Sequence, residues 1–481
     1  MSTVGGRRAG WVRALAVLVV ASAAVTAACR REPVAIDPPR PPRDTLAPQL
    51  QVTFPTDAYG AYDRDSNGLA DLEVAWHDSG GAVNPASFRI TCLDCLPAAA
   101  QDTNLATGWR PVRRDSSGAV LEETVPLLMR SGSHLLKLTV ADTAGNVSPE
   151  KLVYLNLPPG AYHRSIDLAY HPEWQQVRAA HLVLTPDGRK GFVPFIDGHL
   201  AVFDPEGVAP THWVGPVANS CFAAQIALDS TTGLAYIGGG GCETAGYSVV
   251  DTRAERELNW YLVGMGLASV ELAGDRIYTG ESCTTGRIIV LDKTTNQEIG
   301  RVETNSRPYG ASCPNATTFA LSRDGRTGWA GMVGGGIVTF DATTYTRTGR
   351  TDVWPPPGDS LWGNVRDLIL LDDRWLYASL IEWGLDEYDI VAGSRTAHNG
   401  SLIHDLALSP DHKLLFATTN EFSGLANVGA PLLFEVPGLR LRYAFPPRPG
   451  AIQDGAVFHP DGKRVYVITE FHVEVYLVRP L

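Results

Sequence analysis

Leu182-Val183-Leu184-Thr185-Pro186-Asp187-Gly188, then Gly191-Phe192-Val193, then Leu200-Ala201-Val202-Phe203-Asp204, is a phrase that this chain repeats. It consists of a short apolar run, a tight turn, a second run with an aromatic or aliphatic centre, a polar gap, and a third run ending in an acid. The phrase returns as Ile226-Ala227-Leu228 with Ala235-Tyr236-Ile237 and Val249-Val250-Asp251, and as Val270-Glu271-Leu272 with Ile277-Tyr278 and Ile289-Val290-Leu291-Asp292. Further copies centre on Phe319-Ala320-Leu321, Leu368-Ile369-Leu370, Leu406-Ala407-Leu408 and Ala456-Val457-Phe458. Pro-Asp-Gly between apolar runs supplies the fixed φ and the left-handed position of a tight hairpin.

Seven copies at a spacing of roughly 40 to 50 residues predict an all-β chain carrying a propeller of four-stranded blades. One blade alone exposes two apolar faces, and a ring of blades buries both. A helical solenoid would need longer apolar stretches of 3.6 period, and none is present. The seventh copy reaches Leu481 without a fourth strand. The strand-like run Tyr162–Tyr170 is therefore expected to complete it, by pairing with the strand at Val473–Val478 and removing an exposed edge.

The phrase apolar-x-apolar-Ser/Thr-Pro-Asp-Gly, then Tyr-Val, then apolar-Asp resembles the YVTN family of seven-bladed propellers, kin of the lactonase-like and quinoprotein-like propellers. Lys463-Arg464-Val465-Tyr466-Val467-Ile468-Thr469 is the nearest match. The resemblance covers residues 160–481 and implies a fold, not a function, because such propellers serve as surface proteins, lyases, lactonases and dehydrogenase subunits.

Upstream, residues 1–28 read as an export signal: Arg7, Arg8 and Arg13 precede the small apolar run Ala14–Ala28, which is short for a membrane span. Thr26-Ala27-Ala28-Cys29 resembles a bacterial lipobox, with Thr26 where Leu is usual. It implies a lipidated Cys29 and a membrane anchor. An ordinary secretory signal ending near a cysteine is the alternative. Residues 29–47 form a linker with Pro33, Pro38, Pro39, Pro41 and Pro42, which is extended and semi-rigid. Residues 48–157 hold alternating runs such as Leu72–Trp76, Phe88–Thr91 and Leu135–Val140, suited to a β-sandwich. The run Ala141–Ser148 followed by Leu152–Leu155 resembles the closing strands of bacterial immunoglobulin-like or fibronectin-like domains, which serve as spacers or adhesion modules.

Asp63-Arg64-Asp65-Ser66-Asn67-Gly68-Leu69-Ala70-Asp71 places the oxygen ligands Asp63, Asp65, Asn67 and Asp71 at positions 1, 3, 5 and 9 of a calcium loop, with Gly68 at the turn. It resembles the loops of dockerins and thrombospondin type 3 repeats. Position 12, where a bidentate acid is expected, is Val74; Glu73 lies one residue early and should point away. Read without a metal, this is a polar glycine-bearing loop. Beyond Cys29 there are six cysteines, Cys92, Cys95, Cys221, Cys242, Cys283 and Cys313. An even number in an exported chain favours disulfides. Cys92–Cys95 is expected at a strand end, and Cys221–Cys242 and Cys283–Cys313 are expected between loops on one propeller face.

That face carries the ligand candidates. Counting back from the end of each inner strand gives the ring His181, Gln225, Ser269, Thr318, Asp367, Asp405 and Gly455, and blades five to seven add Arg366, His404 and Asp454. Asp367, His404, Asp405 and Asp454 can converge as a cation or acid/base group; the plainer reading is that these side chains satisfy loop amides around the channel. Trp354 and Trp362 beside Pro355-Pro356-Pro357-Gly358 offer a sugar or peptide platform, whereas Trp375 and Trp383 suit core packing. No Gly-x-Ser-x-Gly, His-Glu-x-x-His, phosphate loop or Cys-x-x-Cys-His occurs. The net charge is −12, and removing the three arginines of residues 1–28 makes it −15. Such a chain is a poor nucleic-acid binder. Two classes of function remain. One is a non-catalytic envelope lipoprotein binding a protein or glycan. The other is a periplasmic lactonase-like or lyase-like enzyme using the acidic mouth of blades five to seven.

Overall fold

The computed structural model describes residues 43–56, 62–94, 103–168, 181–195, 197–215, 223–239, 245–264, 269–280, 286–304, 316–332, 336–351, 365–380, 383–419, 428–449, 455–469 and 471–480. The fold is all-β and propeller-like. From residue 183 onward, seven four-stranded antiparallel sheets follow one another among the described residues. They begin at the inner strands Val183–Leu184, Ala223–Asp229, Val270–Ala273, Ala316–Leu321, Val365–Leu371, Ile403–Leu408 and Gly455–Phe458. We number the sheets one to seven in that order.

The seventh sheet obtains its outer strand from upstream of the first. Gly160–Asp167 pairs with His472–Val478, with Val478 opposite Gly160 and His472 opposite Asp167. This is the pairing expected from the sequence; Tyr170, the far end of the expected run, lies outside the described residues.

In the first five sheets an aspartate at the end of the third strand accepts amides of the turn that follows; the sixth ends in Glu435, which pairs with Arg442 instead, and the seventh ends without an acid. Asp251 Oδ1 accepts Arg253 N at 2.9 Å and Ala254 N at 3.0 Å. Asp292 Oδ1 accepts Thr294 N and Thr295 N at 3.0 and 2.7 Å, and Asp389 Oδ1 accepts Val391 N and Ala392 N, both at 3.0 Å. Amides bonded to the ionised form hold Asp251 and Asp292 below the usual carboxylate range.

A second regularity lies across the first two strands of each sheet. One inner-strand residue faces an aromatic every time: Val183 opposite Phe192, Ala227 opposite Tyr236, Ala320 opposite Trp329, Ile369 opposite Tyr377, Ala407 opposite Phe416 and Val457 opposite Tyr466. In the third sheet the pair is Glu271 and Tyr278. These positions pack in the seams between sheets. A distinct apolar core joins each consecutive pair, such as Val250 with Phe192 and Phe416 with Val465. Another joins the seventh sheet to the first, through Tyr466, Ile468 and Val475 with Val193 and Phe203.

Residues 49–157 form two sheets, one of four strands and one of three. They share one core that includes Leu72, Val74, Phe88, Ile90, Leu121, Leu136 and Leu138. These strands meet the closing sheet at a buried ion pair. Arg479 Nη2 donates to Glu123 Oε2 at 2.8 Å with both side chains fully buried. Arg479 also donates to Met129 O at 3.1 Å and Gly68 O at 3.1 Å. Glu123 accepts the Ala70 and Met129 amides.

Truncating Arg479 would leave the Glu123 carboxylate uncompensated in a dry site. Arg479→Met is expected to lower unfolding free energy by about 3–5 kcal/mol in urea titrations. Arg479→Met with Glu123→Leu should recover only part of this, because the Ala70 and Met129 amides then lose their acceptor. A single variant within 1 kcal/mol of the parent, on the order of an exposed pair, would overturn this account.

Candidate functional site

The ring of inner-strand positions behaves as a relay, in which side chains of one sheet bind the backbone of the next. Gln225 Oε1 accepts Val270 N at 3.2 Å while its Nε2 donates to Thr317 O at 2.9 Å. Ser269 Oγ donates to Ala316 O at 2.9 Å. Thr318 Oγ1 accepts Leu368 N at 3.2 Å, Asp367 Oδ2 accepts Leu406 N at 3.0 Å, and Asp405 Oδ2 accepts Ala456 N at 2.9 Å. Each acceptor precedes in sequence the sheet whose amide it satisfies. An inner strand at the channel has amides that no fifth strand can pair, and this relay meets that need.

Asp367, Asp405 and His181 come together within the relay. His181 Nε2 lies 3.9 Å from Asp405 Oδ2. Burial is the largest cause pushing Asp367 well above the usual carboxylate range, followed by the neighbouring Asp405 charge. Burial likewise pushes Asp405 up to about 6, opposed by the hydrogen bond from Asp367. The two carboxyls titrate as a coupled pair with a hydrogen bond between them, which requires a proton on one of them. Desolvation pushes His181 down, partly offset by Asp367. The His181 side chain is still 29 % exposed, and its Nδ1 is buried without a hydrogen-bond partner.

The other candidates fall elsewhere. Gln225 sits across the ring, against the third and fourth sheets. His404 is buried, and its carbonyl accepts the Ser379 hydroxyl of the fifth sheet at 3.0 Å. Asp454, Trp354, Trp362, Cys29, Cys95, Cys221, Cys242, Cys283 and Cys313 lie outside the described residues. Cys92 is buried and disulfide-bonded. Trp383 is partly buried against the core between the fourth and fifth sheets, and Trp375 against that between the fifth and sixth. An inner-strand acid absent from the ring positions is Glu271, which burial pushes up to about 7 with a further contribution from Asp367.

The loop 63–71 gathers its acids. Ligand atoms of Asp63, Asp65 and Asp71 lie within 4.8 Å of one another. Asp63 accepts Asn67 N at 3.2 Å and Gly68 N at 2.7 Å, and Asp71 Oδ2 accepts Arg64 N at 2.8 Å. Burial raises both Asp63 and Asp71, and their acidic neighbours add to it. Glu73 pairs with Arg64 of the loop at 2.5 Å and is not part of the acid cluster. Glu122 approaches instead. It is the cross-strand partner of Asp71, and its Oε1 accepts Asn67 Nδ2 at 3.1 Å. The loop also abuts the closing sheet: His163 Nδ1 is 2.7 Å from Asn67 O. Gly68 has φ +81°, and a Cβ there would stand 2.7 Å from Ala161 Cβ, so both the turn and the close approach require glycine.

No family model and no curated protein matches this chain. Among solved structures, the chain is similar to Kuenenia stuttgartiensis hydrazine synthase at 15 % identity, with a TM-score of 0.49, over 64 % of this chain and 97 % of that one.

The shared proton gives a pH signature. Asp405 has a folded value raised to about 6, above that of an unfolded carboxyl. Its contribution to stability is therefore complete below about pH 4 and is lost as pH rises through about 6. Asp405→Asn keeps an acceptor for Ala456 N without the charge. Its stability relative to the parent is expected to improve by on the order of 2 kcal/mol between pH 4 and pH 7.5 in urea titrations. A pH-independent difference would contradict proton sharing.

Proposed function

We propose that this chain is an exported envelope lipoprotein whose seven sheets are the blades of one closed YVTN-type propeller, carried on an immunoglobulin-like sandwich and serving as a non-catalytic scaffold that binds a protein or glycan. The lipobox-like Thr26-Ala27-Ala28-Cys29 supports the anchor, and the apolar core between the seventh and first sheets supports the closed ring. The observation that carries the binding reading is the relay. Asp367 and Asp405 each commit an oxygen to the neighbouring sheet's amide, whereas a general acid or base needs its atoms within reach of substrate. The enzyme reading, lactonase-like or lyase-like, draws its support from His181, whose unpartnered Nδ1 and proximity to Asp405 suit proton transfer.

The two readings separate on Asp405→Asn. Retention of an envelope component on the immobilised mature chain should be unchanged by the variant, and lactone and uronide panels should show no turnover above background. Turnover by the parent that Asp405→Asn abolishes would replace the binding reading with the enzyme one.

Calcium in the loop 63–71 belongs to the same proposal. Asp63, Asp65, Asn67 and Asp71 are its ligands, and Glu122 supplies the acid that Val74 cannot. Calorimetric titration of the mature chain should show one calcium ion bound, about tenfold more weakly in Glu122→Gln. Absence of heat at millimolar calcium would remove the site.

A further inference from the structure

Between the third and fourth sheets, on the side of their first hairpin turns, lies a cavity of about 540 Å³. Its deep wall includes Glu271, Tyr278 and Phe319, and its mouth includes Arg276, Arg323 and Arg326. In every other sheet the position of Glu271 holds an alanine, valine or isoleucine facing an aromatic. Here a carboxylate stands in that place and lines the cavity.

Two polar groups of the wall are incompletely paired. Tyr278 is fully buried, and no partner meets normal hydrogen-bond geometry at its hydroxyl; the neighbouring Arg276 guanidinium acts on its titration through its charge and as a nearby donor. Arg276 also donates to Ala342 O and lies over the Tyr345 ring at 5.6 Å. Among the described residues, no cation forms an ion pair with Glu271; the charge that acts on it is a second acid, Asp367 of the fifth sheet. A carboxylate held in a protein wall without a counter-ion is costly, and a ligand cation would supply one.

We propose that this seam is a binding site for a small organic amine with an apolar body, its ammonium paired with Glu271 and bonded to the Tyr278 hydroxyl, its body against Phe319. The walls favour such a molecule, since an ammonium gains both from the carboxylate and from the neighbouring ring faces. The arginines at the mouth favour anions, which makes the choice of ligand charge a direct test. The charged groups around Glu271 are Asp275 and Arg276 on its own sheet, Arg323, Asp324 and Arg326 on the fourth, and Asp367 on the fifth. Burial holds Glu271 at about 7. Amine binding should therefore strengthen as pH rises from 6 to 8, while the amine itself stays charged.

The test is ligand-observed NMR titration of the full mature chain with 2-phenylethylamine and with 3-phenylpropionate. Saturable binding of the amine at pH 8 is expected, with binding up to about tenfold weaker at pH 6, at least tenfold weaker in Glu271→Gln, and weaker in Tyr278→Phe. Urea titration of each variant confirms that it is folded, and Glu271→Ala is the second variant should Glu271→Gln fail to fold. No saturable amine binding at pH 8, equal binding of the carboxylate, or unchanged affinity in both folded Glu271 variants would each overturn the proposal.

Discussion

A sheet that is apolar on both faces has no stable existence without a neighbour on each side, and the architecture from residue 160 onward follows from that constraint. The apolar pairs of inner strand and aromatic fill the seams, and every consecutive pair of sheets shares its own core. The pairing of Gly160–Asp167 with His472–Val478 completes the last sheet, and the core between the seventh and first sheets covers its remaining face. Without that pairing, two faces and an edge would be left to water.

The inner strands pose the opposite problem, a surplus of polar backbone. The relay from Gln225 through Thr318, Asp367 and Asp405 resolves it by lending side-chain acceptors to the next sheet's amides. Two carboxyls can lie side by side in such a place only if one keeps a proton. The channel acids are thus explained as structure before any chemistry is asked of them, while Glu271, which satisfies no such amide, is not.

The repeat was legible in the sequence because it is local. Turn residues, alternating apolar runs and the terminal aspartate each have a cause within a few residues, as the Asp251 and Asp292 turn bonds illustrate. The ring positions were legible by counting along inner strands. What their side chains do was not, since the amide that Asp405 accepts belongs to Ala456, on another sheet. Glu271 was visible as an acid in an apolar register, a signal that becomes informative only when the seven copies are aligned on their aromatic partners. The approach of Glu122 to the loop 63–71 depends on strand register and has no signature in the loop itself. Arg479 as the partner of Glu123 was equally hidden, the two being 356 residues apart.

The closing sheet imposes an order of events on folding. Ser165 and Glu474, hydrogen-bonded within it, are 309 residues apart, so the strand made first must wait, with one edge open, until almost the whole chain has left the ribosome. Contacts of such separation carry a loop-closure cost and slow the final step.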